Sequence, residues 1–220
     1  YTLSLHDALP IYRSVLTGAL ALGLLMAAVP DGHADQTVPE GYVRVAMAHG
    51  VPPEALYSVS LSESSRKLPR GVRPWPWTIN VAGKGYRYET RLQAWQALQV
   101  FMKRHALKRI DVGIAQVNLG WNGHHFASTW EAFDPYTNLN AAATILRECW
   151  ARKPGSWLDA AGCYHHPAGG QPAARYRAIV RRHLAKISPT PRISAPAAEA
   201  PRSVAALTPD PGFVWTEPGR

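Results

Sequence analysis

Apolar positions near the start of the readable chain fall into short helical spacings. Residues 42–49 carry Val43, Val45 and Ala46 at such a spacing, and Gly50 stops them. Pro52 and Pro53 restart the chain where a first helical turn tolerates proline. The run Leu56-Tyr57-Ser58-Val59-Ser60-Leu61 then predicts a helix over 54–62 that delivers Glu63 at its end, between Ser62 and Ser64-Ser65. The pattern changes after that. Pro69, Pro74 and Pro76 break helix, residues 75–81 read as a strand, Ala82-Gly83-Lys84-Gly85 as a turn, and 86–89 as its return, a β-hairpin. Thr90-Arg91-Leu92-Gln93 has the form of a capping box, opening a helix over 91–105 with Leu92, Trp95, Leu98, Phe101 and Met102 on one face. Residues 110–118 are short, apolar and glycine-bearing, with polar Asp111, Gln116 and Asn118 interleaved. Asp134 and Pro135 start a strong helix through Leu139, Ala142, Ala143, Leu146 and Trp150, ended by Pro154-Gly155. Ser156 caps a short helix through Ala161, closed by Gly162-Cys163-Tyr164-His165-His166-Pro167, and residues 176–187 form a last, basic helix. The expected class is mainly α (α+β), with a small β-hairpin after Glu63.

Composition narrows the picture. At 220 residues, one catalytic domain with tails is expected. The net charge of +9 suits a polyanionic partner such as nucleic acid, anionic lipid or a wall polymer bearing carboxylates. No zinc-finger spacing, phosphate loop or helix–turn–helix signature is present, so nucleic acid is not favoured.

The ends of the chain read differently from its middle. Residues 1–11 match neither a targeting signal nor a fold and are expected to be non-native sequence. Residues 12–34 read as a secretory signal peptide with a shortened positive end. Arg13 is followed by an uncharged run over 15–29 and by Gly32-His33-Ala34, with cleavage after Ala34. That run is short for a membrane span of about 20 residues. An anchor is the alternative; either way the domain at 35–187 is exported, and a cleaved form is periplasmic with no stable membrane span. Export bears on Cys149 and Cys163, the two cysteines of the chain. In an oxidising compartment a bridge is expected, with two buried thiols as the alternative. Two cysteines without suitable histidine spacing make a poor zinc site. Residues 188–220 contain seven prolines and almost no periodic apolar face, which predicts a disordered, extended tail.

Glu63 is the candidate for chemistry. A carboxyl held against apolar and aromatic surface is desolvated and keeps its proton towards neutral pH, as a general acid for a glycosidic bond must. A solvated helix-end glutamate is the plain alternative. The tryptophans and tyrosines of the hairpin that follows have flat faces suited either to sugars or to covering a core, and the pattern leaves both open. Gln116 has an amide able to donate to and accept from an acetamido sugar.

Four short motifs occur in order between about residues 42 and 187: Glu63-Ser64; Gly113-Ile114-Ala115-Gln116-Val117-Asn118; Asp134-Pro135-Tyr136-Thr137-Asn138-Leu139 with the helix after it; and Cys163-Tyr164-His165. Together they resemble the motifs of family 1 lytic transglycosylases, on the goose-type lysozyme-like helical fold. The chain is most similar to the exported transglycosylases of conjugation and type IV secretion clusters. Three positions depart from that pattern: Ala115 stands for a Met, Ala142 for a Gly and His165 for an Asn.

The resemblance implies an enzyme, a peptidoglycan lytic transglycosylase with Glu63 catalytic, needing no metal or cofactor and no second carboxylate. Tyr164 would hydrogen-bond and orient Glu63, and Ser64, Gln116 and Asn138 would position substrate. The implied partners are glycan strands of the wall and components of a conjugation or secretion apparatus. Three rivals stand beside this expectation: a true lysozyme using water through Asp111, a non-catalytic wall-binding assembly protein, and a basic membrane-surface protein anchored by residues 15–29.

Overall fold

The computed structural model describes residues 36–191. The expected non-native lead, the signal segment, and the tail from residue 192 lie outside the described residues. The predicted helices and hairpin form, embedded in a mainly helical fold with two small antiparallel sheets. Helix α1 spans Glu40–Ala48 and α2 spans Pro53–Ser64. A hairpin of β1 (Ser65–Leu68) and β2 (Gly71–Pro74) follows. The sequence reading assigned no strand there, because prolines dominate the segment. They are compatible with it: Pro69 lies in the turn and Pro74 ends a strand. Next come β3 (Thr78–Val81), β4 (Lys84–Arg87), α3 (Arg91–Met102), β5 (Ile110–Val112) and β6 (Val117–Asn118). The last four helices are the short α4 (Leu119–Asn122), α5 (Pro135–Arg152), α6 (Trp157–His165) and α7 (Gly170–Leu184).

Helix α2 is buried on nearly every side, which explains its weak amphipathic pattern. It is also rich in serine, a poor residue for a helix interior. The structure answers with back-bonds: Ser58, Ser60, Ser62 and Ser64 each donate to the carbonyl four residues earlier. Hydroxyls that would be costly in an apolar interior are thereby given partners within the helix, and Ser64 Oγ has a shorter contact outside it, to Ile114 O. Around α2, residues of α1, α5, α6 and α7 form one apolar core, including Leu56, Val59, Leu139, Leu146 and Val180.

A second core lies under the four-stranded sheet, whose order is β4-β3-β5-β6. Trp75, Trp77, Ile79, Leu98 and Phe133 pack there. Trp75 and Trp77 meet edge to face, with ring centroids 5.2 Å apart, and both are buried. The question left open by the hairpin aromatics is thus settled for these two tryptophans: they cover the core.

Caps fall where the sequence placed them. Asp134 Oδ1 accepts from Thr137 N, Thr90 Oγ1 from Gln93 N, and Ser156 Oγ from Leu158 N. Helix α6 continues past Ala161 to His165, so Tyr164 and His165 occupy its last turn. Gly162 lies inside it because the Arg177 side chain of α7 packs against that point. Helix α7 starts at Gly170, earlier than the expected residue 176, with Pro172 in its first turn. Cys149 and Cys163 are joined by a disulfide linking α5 to α6, with a Cα–Cα distance of 5.8 Å. The start of the tail is tied down: Ser188 N donates to Gln36 O and Thr190 N to Glu54 Oε1. Among the described residues, no helix is long and apolar enough to cross a membrane.

Candidate active site

The register of the sheet builds one wall of a cleft. Asn80 pairs with Asp111 across β3 and β5, and Asp111 with Asn118 across β5 and β6. Cross-strand partners share a face, so these three polar residues form a row, and all three line a cleft of about 710 Å³. The opposite wall is helical. Glu63 comes from the end of α2, Cys149 and Arg152 from α5, and Tyr164 and His165 from the end of α6.

Glu63 stands between the two walls with only 15% of its side chain exposed. His165 Nδ1 lies 3.6 Å from its Oε1. The imidazole stacks flat on Tyr176, with ring centroids 4.2 Å apart and planes 3° from parallel. The buried Tyr176 hydroxyl is close enough to Glu63 to feel its charge, with no partner in good hydrogen-bond geometry. Burial, followed by the charge of Glu63, holds the Tyr176 hydroxyl well above the ordinary tyrosine range. The same two causes act on Tyr164. Burial pushes Asp111 up to about 6; the hydrogen bond from Asn118 opposes this, and the negative charge of Glu63 adds to it. His165 is raised above its ordinary value, chiefly by its pairing with Glu63, while burial opposes the rise. The site thus gathers two carboxyls, an imidazole and two phenols, and Glu63 contributes to the shift of each of the other four.

The predicted site residues divide into two groups. Glu63, Gln116 and Tyr164 line the cleft. Ser64 and Asn138 do not: both are completely buried and spend their polar atoms on backbone. Ser64 Oγ donates to Ile114 O at 2.6 Å and accepts from Trp75 N at 3.1 Å. Asn138 Nδ2 donates to Val112 O and Ala132 O, and its Oδ1 accepts from Ala115 N. These two residues therefore hold the loop between β5 and β6, and the expectation of direct substrate contact is corrected for both. Gly113 is required beneath Asn138, since a Cβ there would lie 2.2 Å from Asn138 Nδ2 and the backbone sits at φ 86°.

Tyr164 differs from expectation too. Its hydroxyl donates to Ala115 O at 2.7 Å, so its proton goes to the loop and not to Glu63. The neighbour within reach of Glu63 is His165, one of the three departures from the family pattern. Gln116 uses both amide hydrogens internally, on Thr78 O and Gly113 O, which leaves its Oε1 to accept from a ligand. These bonds also hold its backbone in the left-handed region at φ 50°, a conformation costing a β-carbon residue about 1 kcal/mol.

The comparisons with known proteins are brief. No family model, curated protein or solved structure matches this chain. Sequence reasoning missed Tyr176, Asn80 and Trp121. Tyr176 was read only as the start of a basic helix, although it is an aromatic on the one apolar stripe of α7 with Ala173 and Val180. Asn80 carried a usable signal, a polar residue inside an otherwise apolar strand. Trp121 had none beyond its size.

Proposed function

We propose that this chain is a peptidoglycan lytic transglycosylase with Glu63 as its acid and base. The observation that carries the reading is the position of Glu63: nearly buried, at the end of a buried helix, opening into a cleft walled by amides, a phenol and an imidazole. Protonated Glu63 gives its proton to the oxygen joining N-acetylmuramic acid to N-acetylglucosamine. The 2-acetamido oxygen of the sugar stabilises the anomeric carbon as that bond breaks. Glu63, now a carboxylate, takes the proton of the 6-hydroxyl, and that oxygen closes a 1,6-anhydro ring. No water is consumed, and Glu63 ends as it began. Gln116 Oε1 accepts an acetamido N–H. Ser64, Asn138 and Tyr164 hold the loop that presents Gln116.

The wall substrate, the periplasmic location and service to a conjugation or secretion apparatus rest on the motif resemblance, and the disulfide suits an oxidising compartment. Glu63→Gln is expected to lower release of soluble fragments from purified peptidoglycan by about 10²–10⁴-fold with the fold intact. Fragment release at the parental rate would sink the assignment. One observation favours a second reading, hydrolysis with water as nucleophile: Asp111 shares the cleft with Glu63 and interacts with it electrostatically. A second carboxylate is what an ordinary glycosidase requires.

A further inference from the structure

Glu63 and the polar row leave one part of the cleft without a role. Trp121 is 64% exposed, the most exposed large apolar side chain among the described residues. It also lines the cleft, while Leu92, Met47 and the other exposed apolar side chains do not. A tryptophan left in water forgoes the burial that normally places it inside a fold, so a large ring held open in a cleft needs a reason. Trp75 and Trp77, for which the sequence left sugar contact and core cover equally open, are in the core.

The backbone that carries the ring is held in place. Asn118 Oδ1 accepts from Gly120 N at 3.0 Å and from Trp121 N at 3.1 Å. Asn118 Nδ2 donates to Asp111 Oδ1 at 2.8 Å and to Lys108 O at 3.0 Å. One side chain therefore fixes Trp121 relative to both Lys108 and the polar row. Gly120 allows the close approach, since a Cβ there would lie 2.3 Å from Lys108 N. The Lys108 ammonium sits over one face of the indole, 3.8 Å from the ring centroid. The residue as a whole is still 64% exposed and lines the cleft.

We propose that Trp121 and Lys108 form a saccharide subsite, the exposed indole stacking on a pyranose ring and the ammonium at its rim taking a carboxylate borne by that sugar or by its peptide substituent. The inference rests on the glycan-cleaving reading of the same cleft. A flat aromatic with a polar rim suits the apolar face of a sugar, and an exposed ammonium suits a carboxylate. In wall glycans that carboxylate has two sources: the lactyl group of a peptide-free muramic residue, or the stem peptide where one is attached.

The test uses the full chain carrying Glu63→Gln, so that ligand is bound and not consumed. Calorimetric titration is run with three ligands: a peptide-free wall glycan, a peptide-bearing wall glycan, and a hexamer of N-acetylglucosamine, which has no carboxylate. Adding Trp121→Ala is expected to weaken all three by about tenfold, equivalent to about 1.4 kcal/mol. Trp121→Tyr, which keeps a ring, is expected to restore most of the affinity. Lys108→Ala is expected to weaken only the carboxylate-bearing ligands, by about two- to fivefold, and the difference should vanish at high salt. A loss confined to the peptide-free glycan assigns the lactyl group, and one confined to the peptide-bearing glycan assigns the stem. Affinities within about twofold of the parent for Trp121→Ala overturn the subsite while the glycan reading stands. An equal effect of Lys108→Ala on the hexamer overturns the carboxylate half. If Glu63→Gln alone binds none of the three, the glycan reading fails and the subsite with it.

Discussion

On the helical side of the cleft, Glu63, Tyr164, His165 and Tyr176 stand on α2, α6 and α7, whose positions are set by a shared apolar core and by the disulfide between α5 and α6. On the sheet side, Asn80, Asp111, Asn118 and Gln116 stand on strands of two to four residues and on the loop between two of them. These elements are too short to hold a site by packing alone, and buried side-chain amides and a serine hydroxyl do the holding. The titrating groups thus sit mainly where packing is dense. The groups that would read a ligand sit where single hydrogen bonds decide geometry. Damage to the two sides should therefore look different: graded on the helical side, abrupt on the sheet side.

The largest effect should come from Asn138→Ala. It strips three hydrogen bonds at once in the interior, those to Ala115 N, Val112 O and Ala132 O. The expected loss is about 3–5 kcal/mol, read from urea unfolding. Asn140→Ala, two positions along the same helix and only partly buried, is the internal comparison and should cost about 1 kcal/mol. Equal costs would remove the distinction between the walls.

On the helical side, replacing Cys149 and Cys163 together with serine should lower stability by about 2–4 kcal/mol, seen as a fall in Tm. The helices keep their core, so the domain should remain folded.

Asp111→Asn tests the electrostatics of the sheet side. The folded carboxyl is raised from 3.8 to about 6, so the folded state binds the proton more tightly than the unfolded state. Stability from this group is therefore complete below about pH 4 and lost as pH rises to about 6. The asparagine variant should be more stable than the parent by about 3 kcal/mol at pH 7 and no different near pH 3.5. An advantage of the asparagine variant at pH 3.5 that disappears at pH 7 would reverse the sign and refute the account of Asp111.

The smallest effect concerns His165. Its folded value is raised by Glu63, so its contribution is present below the ordinary histidine range and lost as pH rises through the folded value. The side chain is 45% exposed, which limits the size. The Tm gap between the parent and His165→Asn should narrow from pH 5 to pH 9, and a gap that does not change with pH would exclude the pairing with Glu63.

The same division explains what could be read from the sequence. The 3.6-residue periodicity and the caps at Thr90, Asp134 and Ser156 located the helices, because packing and capping leave local marks. Glu63 was legible as an acid at the end of an apolar run. The β1–β2 hairpin was hidden by its prolines. The buried ties of Ser64 and Asn138 were hidden because a polar letter does not say whether its partner is a ligand or a backbone carbonyl many residues away. His165 could be noted as a departure, but its pairing with Glu63 and its stacking on Tyr176 depend on how α6 and α7 pack, and nothing local records that. Trp121 looked like any other aromatic until Trp75 and Trp77 proved to be buried.

The central claim is that Glu63 cleaves wall glycan without water. Mass spectrometry of the fragments released from purified peptidoglycan tests it directly. Muramic ends lighter by one water, lost together with activity in Glu63→Gln, are the predicted result. Reducing ends in their place would contradict the claim and make the enzyme a hydrolase working through Asp111, and no fragments from a folded protein would make the cleft a binding site.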